Sequence, residues 1–438
     1  MINIDKLFEK ALKKGLSDVQ VYLSNSTELS IEIFNGELDK YEIADTSSLT
    51  IRGVFNGKMG TFVTEVMEDD LIDMIIDHII RNAKVIDSLD DAIIYAGDDH
   101  YELLEGIFNE DLRTLPVSKK IETVKKLDSL FHQANPLVTI AESMYSESTK
   151  SIMIQNTKGL KLFNKANSAY LGGSVIVKND TDQRTNFDLI ISNDYADFDI
   201  ESLATETVNQ AVSSLGAKPV SSKEYEIIFD RSAFATLLSA FGGIFSADSV
   251  QKGFSLLKGK LNEVVGSNLV TIVDDPFMKK SSSSRSFDDE GVATKYKELI
   301  SKGVLNTYLH NLVTAKKDGV TSTGNGFGNS VAPVNLKFLP GESTKAELLA
   351  STKDGIYITE VQGAHAGANA VSGDFSLQAS GFVLKNGVLS EPVALITVAG
   401  NFINMLKEIV LVGNDLKASY YGITCPSVKV SSMPVSGI

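Results

Sequence analysis

The chain has 438 residues, a formal charge of -15 and a pI near 4.9, so it lacks the concentrated Lys and Arg that a phosphate backbone requires; Lys279-Lys280 and Lys316-Lys317 are isolated pairs. A membrane-spanning helix is excluded by the absence of any run of 18 or more apolar residues. The single cysteine, Cys425, excludes an intrachain disulfide and a thiol-rich metal site.

The N-terminus, Met1 to Phe8, carries no apolar targeting segment, and a cytoplasmic location is expected. Residues 2–15 place Ile2, Ile4, Leu7, Phe8, Ala11 and Leu12 at helical spacing before Gly15. Alternating runs follow at Val19–Leu23, Leu29–Ile33, Ser48–Arg52 and Gly60–Val63, with Asn35-Gly36 and Asn56-Gly57 between them. Asn-Gly between alternating runs predicts an antiparallel meander. Its covering helix is expected over 67–86, where Leu71, Met74, Ile75, Ile79 and Ile80 form a stripe.

Residues 88–116 read as acidic and irregular, and 118–133 as a helix. Strands are expected at Val138–Ser143, Ser151–Thr157, Leu160–Asn164 and, after Gly172-Gly173, at Ser174–Lys178; a helix over 201–215 follows. The polar stretch from Gly216 to Lys223 contains Pro219 and marks the main boundary. Beyond it, glycine-separated apolar runs predominate: 225–229, 269–273, 295–300, 304–309, 355–361, 375–384, 393–399 and 428–431. The expected fold is α+β: an N-terminal domain over 1–216 with an antiparallel sheet and covering helices, divisible into 1–87 and 117–216, and a largely antiparallel barrel-like or sandwich-like domain over 224–438.

Gly363, Gly367, Gly373 and Gly381 punctuate a run of small and polar residues, which predicts bulges and tight loops at a sheet edge beside a ligand. His365, Gly367, Asn369, Gly373, Asp374 and Phe375 are the candidate peptide-contacting residues there. Catalytic signatures are otherwise absent. The five histidines, His78, His100, His132, His310 and His365, include no pair at metal-binding helical spacing. Ser372-Gly373 and Ser380-Gly381 lack the frame of a nucleophile elbow. Asp274-Asp275 and Asp288–Gly291 read as turns and caps in preference to cation sites, and Gly324–Asn329 reads as a tight loop.

An ordered series of blocks carries a family resemblance: Asp288-Asp289-Glu290-Gly291, Thr323–Gly326, Gly355–Tyr357, Ser372–Ser376, Ala379–Phe382, Asn386-Gly387, Pro392-Val393, Ala399–Asn401 and Val412–Leu416. Over residues 225–437 the chain resembles the TldD/PmbA family, whose second subunit is also called TldE. The resemblance implies that TldD-like subunits bind a metal, zinc, through a helical His-Glu-x-x-x-His pattern and a later cysteine. Here Ser239 and Ala240 stand where the first histidine and the glutamate are expected, and Gly243 or Ile244 where the second histidine is. The chain therefore looks like a PmbA/TldE-type subunit with neither catalytic residues nor a metal of its own. The implied partners are a TldD-like metallopeptidase subunit and a peptide, with homodimer formation when the chain is alone. The resemblance also implies peptide maturation and degradation in the cytoplasm, and the family's older label as a modulator of DNA gyrase finds no basic surface here. Two other readings stay open: a stand-alone peptidase built on His365, and a peptide-binding or scaffold protein with no part in proteolysis.

Overall fold

The computed structural model describes residues 2–87, 92–419 and 422–438. Helix α1 (Ile4–Lys13) is capped by Asn3, whose side chain accepts the Lys6 N–H, and it buries Leu7 and Ala11. Three strands follow, β1 (Asp18–Phe34), β2 (Glu37–Phe55) and β3 (Lys58–Thr64), then α2 (Ile72–Val85). Asn35 and Gly36 have φ of 46° and 87°, and Asn56 and Gly57 have 50° and 76°, the paired positive values of a tight hairpin. The next elements are α3 (Glu110–Thr114), α4 (Val117–Ala134), β4 (Val138–Asn156), β5 (Lys161–Lys178), β6 (Gln183–Ser192) and α5 (Ile200–Ser213).

The six strands form one antiparallel sheet in the order β3-β2-β1-β4-β5-β6, with α1 and α2 over one end and α4 and α5 over the other. Runs expected as separate strands belong to single long ones: 19–23 and 29–33 both lie in β1, and 138–143 and 151–156 both lie in β4, which ends one residue before the expected Thr157. Gly172 and Gly173 do not interrupt β5; they permit close packing inside it. A Cβ on Gly172 would stand 2.4 Å from the Asp188 carbonyl oxygen, and one on Gly173 would stand 2.3 Å from that of Glu142. Strand β6 had no counterpart among the expected runs. Residues 88–91 of the irregular segment lie outside the described residues.

The C-terminal half begins with β7 (Lys223–Phe229), α6 (Arg231–Ala240), α7 (Ala247–Lys252), β8 (Ile272–Asp274), β9 (Lys297–Ser301) and β10 (Val304–Leu305). It continues through α8 (Leu312–Asp318), β11 (Gly326–Phe327), β12 (Ser330–Val331), β13 (Leu336–Phe338), α9 (Lys345–Ala350) and β14 (Asp354–Gln362). The remaining elements are α10 (Ala364–Gly367), β15 (Asp374–Lys385), β16 (Val388–Asn401), α11 (Phe402–Lys407), β17 (Ile409–Val412), β18 (Lys417–Ala418), β19 (Ile423–Cys425) and β20 (Val428–Ser436). Strands run β16-β15-β14-β7-β20, and a β16–β20 pairing closes them into a five-stranded barrel. A second sheet, β10-β9-β8-β13-β19-β18, lies beside it. Pairing is antiparallel except for β7 with β14 and β13 with β19. One large core, from Tyr225 to Val435, serves both sheets. Among the described residues no helix is long and apolar enough to cross a membrane.

The two acidic runs have structural work. Asp288 Oδ1 accepts the N–H groups of Glu290 (2.9 Å) and Val292 (3.0 Å), and its Oδ2 accepts that of Gly326 (2.8 Å). Asp274 accepts from the backbone of Val334 and Asn335 and from the amide of the buried Asn325. The same loop meets the N-terminal half: Tyr101 donates to the Gly291 carbonyl at 2.7 Å, and Asp98 accepts the Ala293 N–H at 2.8 Å. Leu160, Ile154 and Phe287 close an apolar contact at the junction. The turn-and-cap reading of these residues therefore describes their geometry, extended to a clamp between the halves.

Candidate functional site

Two places singled out by the sequence, α6 and the run beginning at Gly363, meet at one end of the barrel. Helix α10 packs on α6. The Phe375 ring makes an edge contact with Phe241, which follows α6, and Phe241 stacks on Phe402 at 4.2 Å. Phe375 is 3% exposed. It is a core side chain that seats the loop, and its ring forms no part of an open cleft wall.

The loop between β14 and β15 is held by its own hydrogen bonds. Gly363 has φ of 79° and opens α10; at Gly367 a Cβ would lie 2.3 Å from the Ser376 carbonyl oxygen. Asn369 spends its side-chain oxygen on the N–H groups of Val371 (2.9 Å) and Ser372 (3.2 Å). Gly373, with φ of 84°, donates to the Asn369 carbonyl at 2.8 Å, and its own carbonyl accepts the Phe402 N–H at 2.7 Å. Asp374 accepts from Asn401 Nδ2 at 3.0 Å, and this bond, with that of Ser372, holds its carboxyl below the usual range. Of the six candidates, Asn369, Gly373 and Asp374 shape the loop, and His365 projects from α10 as an exposed imidazole.

The sheet-edge expectation is corrected here. β15 pairs with β14 on one side and β16 on the other, so it offers no free edge on which a peptide strand can add. The register breaks near Glu360 and Gly381 place the extra residues on the flanking strands β14 and β16 and not on the glycine run itself. The same rim exposes two apolar side chains that no sequence pattern singled out, Phe254 (61%) and Val371 (51%). A hydrogen bond from Leu256 N–H to the Ala370 carbonyl (2.9 Å) ties their segments together. Neither has a sequence signature, because exposure of one aromatic depends on where a loop from elsewhere ends.

The residues at the end of α6 do not fit a metal. Ser239 and Ala240 occupy the last turn of α6, where Ser239 donates back to the Thr236 carbonyl at 2.7 Å. The α-helix then stops and a 3-10 turn runs from Gly242 to Phe245, with Gly243 facing open space and Ile244 in the core. Cys425 lies at the other end: its thiol is fully buried and donates to the Arg231 carbonyl at 3.2 Å. Arg231 and Ser239 are separated by about 12 Å along the helix axis. Burial, with Asp230 and Asp415 nearby, pushes the Cys425 thiol pKa up and away from the thiolate a metal needs. Among the described residues no group of three His, Cys, Asp or Glu side chains is placed to hold a metal ion.

Comparison with known proteins identifies the family. The chain matches PmbA/TldA metallopeptidase domain 1 over residues 19–84, the central domain over 110–215 and the C-terminal domain over 222–437. A Buchnera aphidicola (subsp. Baizongia pistaciae) protein called metalloprotease PmbA homolog is 33% identical over 60% of this chain and 58% of its own length. A Thermotoga maritima structure described as a modulator of a DNA gyrase superposes with a TM-score of 0.93 at 36% identity, covering 99% of both chains. TldE from Thermococcus kodakarensis shares the fold, with a TM-score of 0.90 at 20% identity over 99% of this chain and 100% of that one. With all three family domains matched in order, and a shared fold from end to end, the chain belongs to the PmbA/TldD family.

Proposed function

We propose that the chain is the PmbA/TldE-type subunit of a TldD/TldE-type metallopeptidase complex for maturation and degradation of peptides in the cytoplasm, and that it holds no metal itself. The observation that carries this reading is the end of α6: serine and alanine fill its last turn, the helix stops before a second ligand position, and Cys425 is at its far end. A TldD-type partner then supplies zinc and the His-Glu-x-x-x-His helix. This chain supplies a rigid wall. His365 and the exposed backbone around Gly367, Asn369, Gly373 and Asp374 offer hydrogen bonds to a peptide passing the barrel rim, while Phe375 anchors the loop from below. A preformed loop suits broad substrates, because little ordering entropy is lost when a peptide arrives. Alone, the subunit pairs with itself.

A stand-alone peptidase is less well supported. His365 is exposed and has no hydrogen-bonded carboxylate to orient it among the described residues, whereas an activated nucleophile or water requires a positioned base. The reading is tested by titrating this chain into a TldD-type metallopeptidase and following cleavage of an unfolded peptide. A chelator-sensitive rate that rises and saturates with added chain is expected. A rate equal to that of the partner alone would remove the proposal.

A further inference from the structure

The N-terminal sheet has one edge left open by its own register. Strand β3 pairs with β2 only over Leu49–Phe55, so among the described residues no strand lies outside residues 37–48 of β2. Three apolar side chains stand uncovered there: Leu38 (45% exposed), Tyr41 (48%) and Ile43 (54%). Their partners on β1 are Ile33, Ile31 and Leu29, all buried under the helices, so the apolar face runs to the edge and beyond the cover. An open edge with apolar side chains is a template for another strand.

We infer that this edge is an interface for a second copy of the chain, pairing antiparallel about a two-fold axis at Tyr41. The charges select that register. With the axis at Tyr41, Lys40 of each copy faces Glu42 of the other, giving two opposite-charge pairs on one face, while the two Tyr41 rings meet on the other with Ile43 diagonal to them. An axis at Asp39, Lys40 or Glu42 sets like charges face to face, and one at Ile43 pairs no opposite charges. The Asp39 bulge, between the Lys40 and Leu38 pairings with β1, and the like charges Glu37 and Asp45 at the ends keep the ladder short. Charges that guard an edge against most strands thereby admit one partner. The inference rests on the self-pairing proposed above for the chain alone and draws on nothing at the peptide rim; a dimer indifferent to Lys40→Glu would leave self-pairing standing and remove only this edge.

The test uses the full chain. Sedimentation velocity should show a monomer–dimer equilibrium at concentrations up to about 100 μM, as expected of a small interface. Lys40→Glu should weaken the dimer about tenfold, and Lys40→Glu/Glu42→Lys should restore it. Opposed residues of an antiparallel pair have Cα atoms roughly 4.5 to 5.5 Å apart, within disulfide reach. Since the native cysteine is buried, Tyr41→Cys should give a linked dimer under mild oxidation and Ile43→Cys should not. Circular dichroism on each variant separates loss of pairing from loss of fold. A wild-type chain that stays monomeric, a dimer indifferent to Lys40→Glu, or a link at position 43 in place of 41 would overturn the inference.

Discussion

Asp288 is fully buried and accepts three backbone N–H groups, yet its pKa is pushed up to about 7, by burial first and by the nearby Glu290 second, against those N–H groups. A folded pKa above the unfolded carboxylate value means that the native state binds the proton more tightly. The resulting stabilisation is fully present below the unfolded pKa and is lost as pH rises through the folded pKa near 7. Between pH 5 and 6 the slope contributed is about 1.4 kcal/mol per pH unit. Denaturant unfolding should therefore show wild-type stability declining more steeply from pH 5 to 7 than in Asp288→Asn, which cannot titrate. Parallel slopes for the two proteins would contradict the assignment. Gly367 makes a second prediction at this scale. Gly367→Ala forces a Cβ against the Ser376 carbonyl and should cost about 1–3 kcal/mol, read from the urea midpoint.

At the scale of elements, α6 decides what chemistry the chain can host. Grafting Ser239→His, Ala240→Glu and Ile244→His together restores the letters of the metal pattern but not its geometry, since Ile244 lies in the core beyond the helix end. The triple variant should bind no stoichiometric zinc by elemental analysis and should lose stability. Tight zinc binding by a folded triple variant would show that the helix end is no barrier. The hairpins were legible in the sequence because Asn35-Gly36 and Asn56-Gly57 demand a positive φ, and the helices because of their apolar spacing, although in α2 the buried face is Ile72, Ile75, Ile76, Ile79 and Ala83, with Met74 of the expected stripe exposed. The continuity of β1, β4 and β5 was not. Polar residues such as Asn25 and Thr27 sit mid-strand where the two helical layers leave a gap, and Gly172-Gly173 pack closely where glycine elsewhere marks a turn.

At the scale of the molecule, the sequence conveyed a β-rich C-terminal half, barrel-like or sandwich-like, and the structure is the barrel; which strands close it was not legible, because the β16–β20 pairing joins segments whose partners no local pattern names. Closure removes the free edge from β16, and β15 lies between β14 and β16, so in the proposed reading a peptide meets the rim around His365 and adds to no strand of the barrel. Serine and alanine at positions 239 and 240 were legible, since that needs only residue types; the position of Cys425 at the other end of α6 was not, since it needs the fold. In the proposed reading this chain contributes surface and the partner contributes chemistry. The most direct measurement is cleavage of an unfolded peptide by the purified chain alone, with and without a chelator, alongside its metal content. The purified chain should show neither cleavage nor stoichiometric metal; efficient cleavage by the chain alone, abolished by chelator or by His365→Ala, would place the chemistry in this chain.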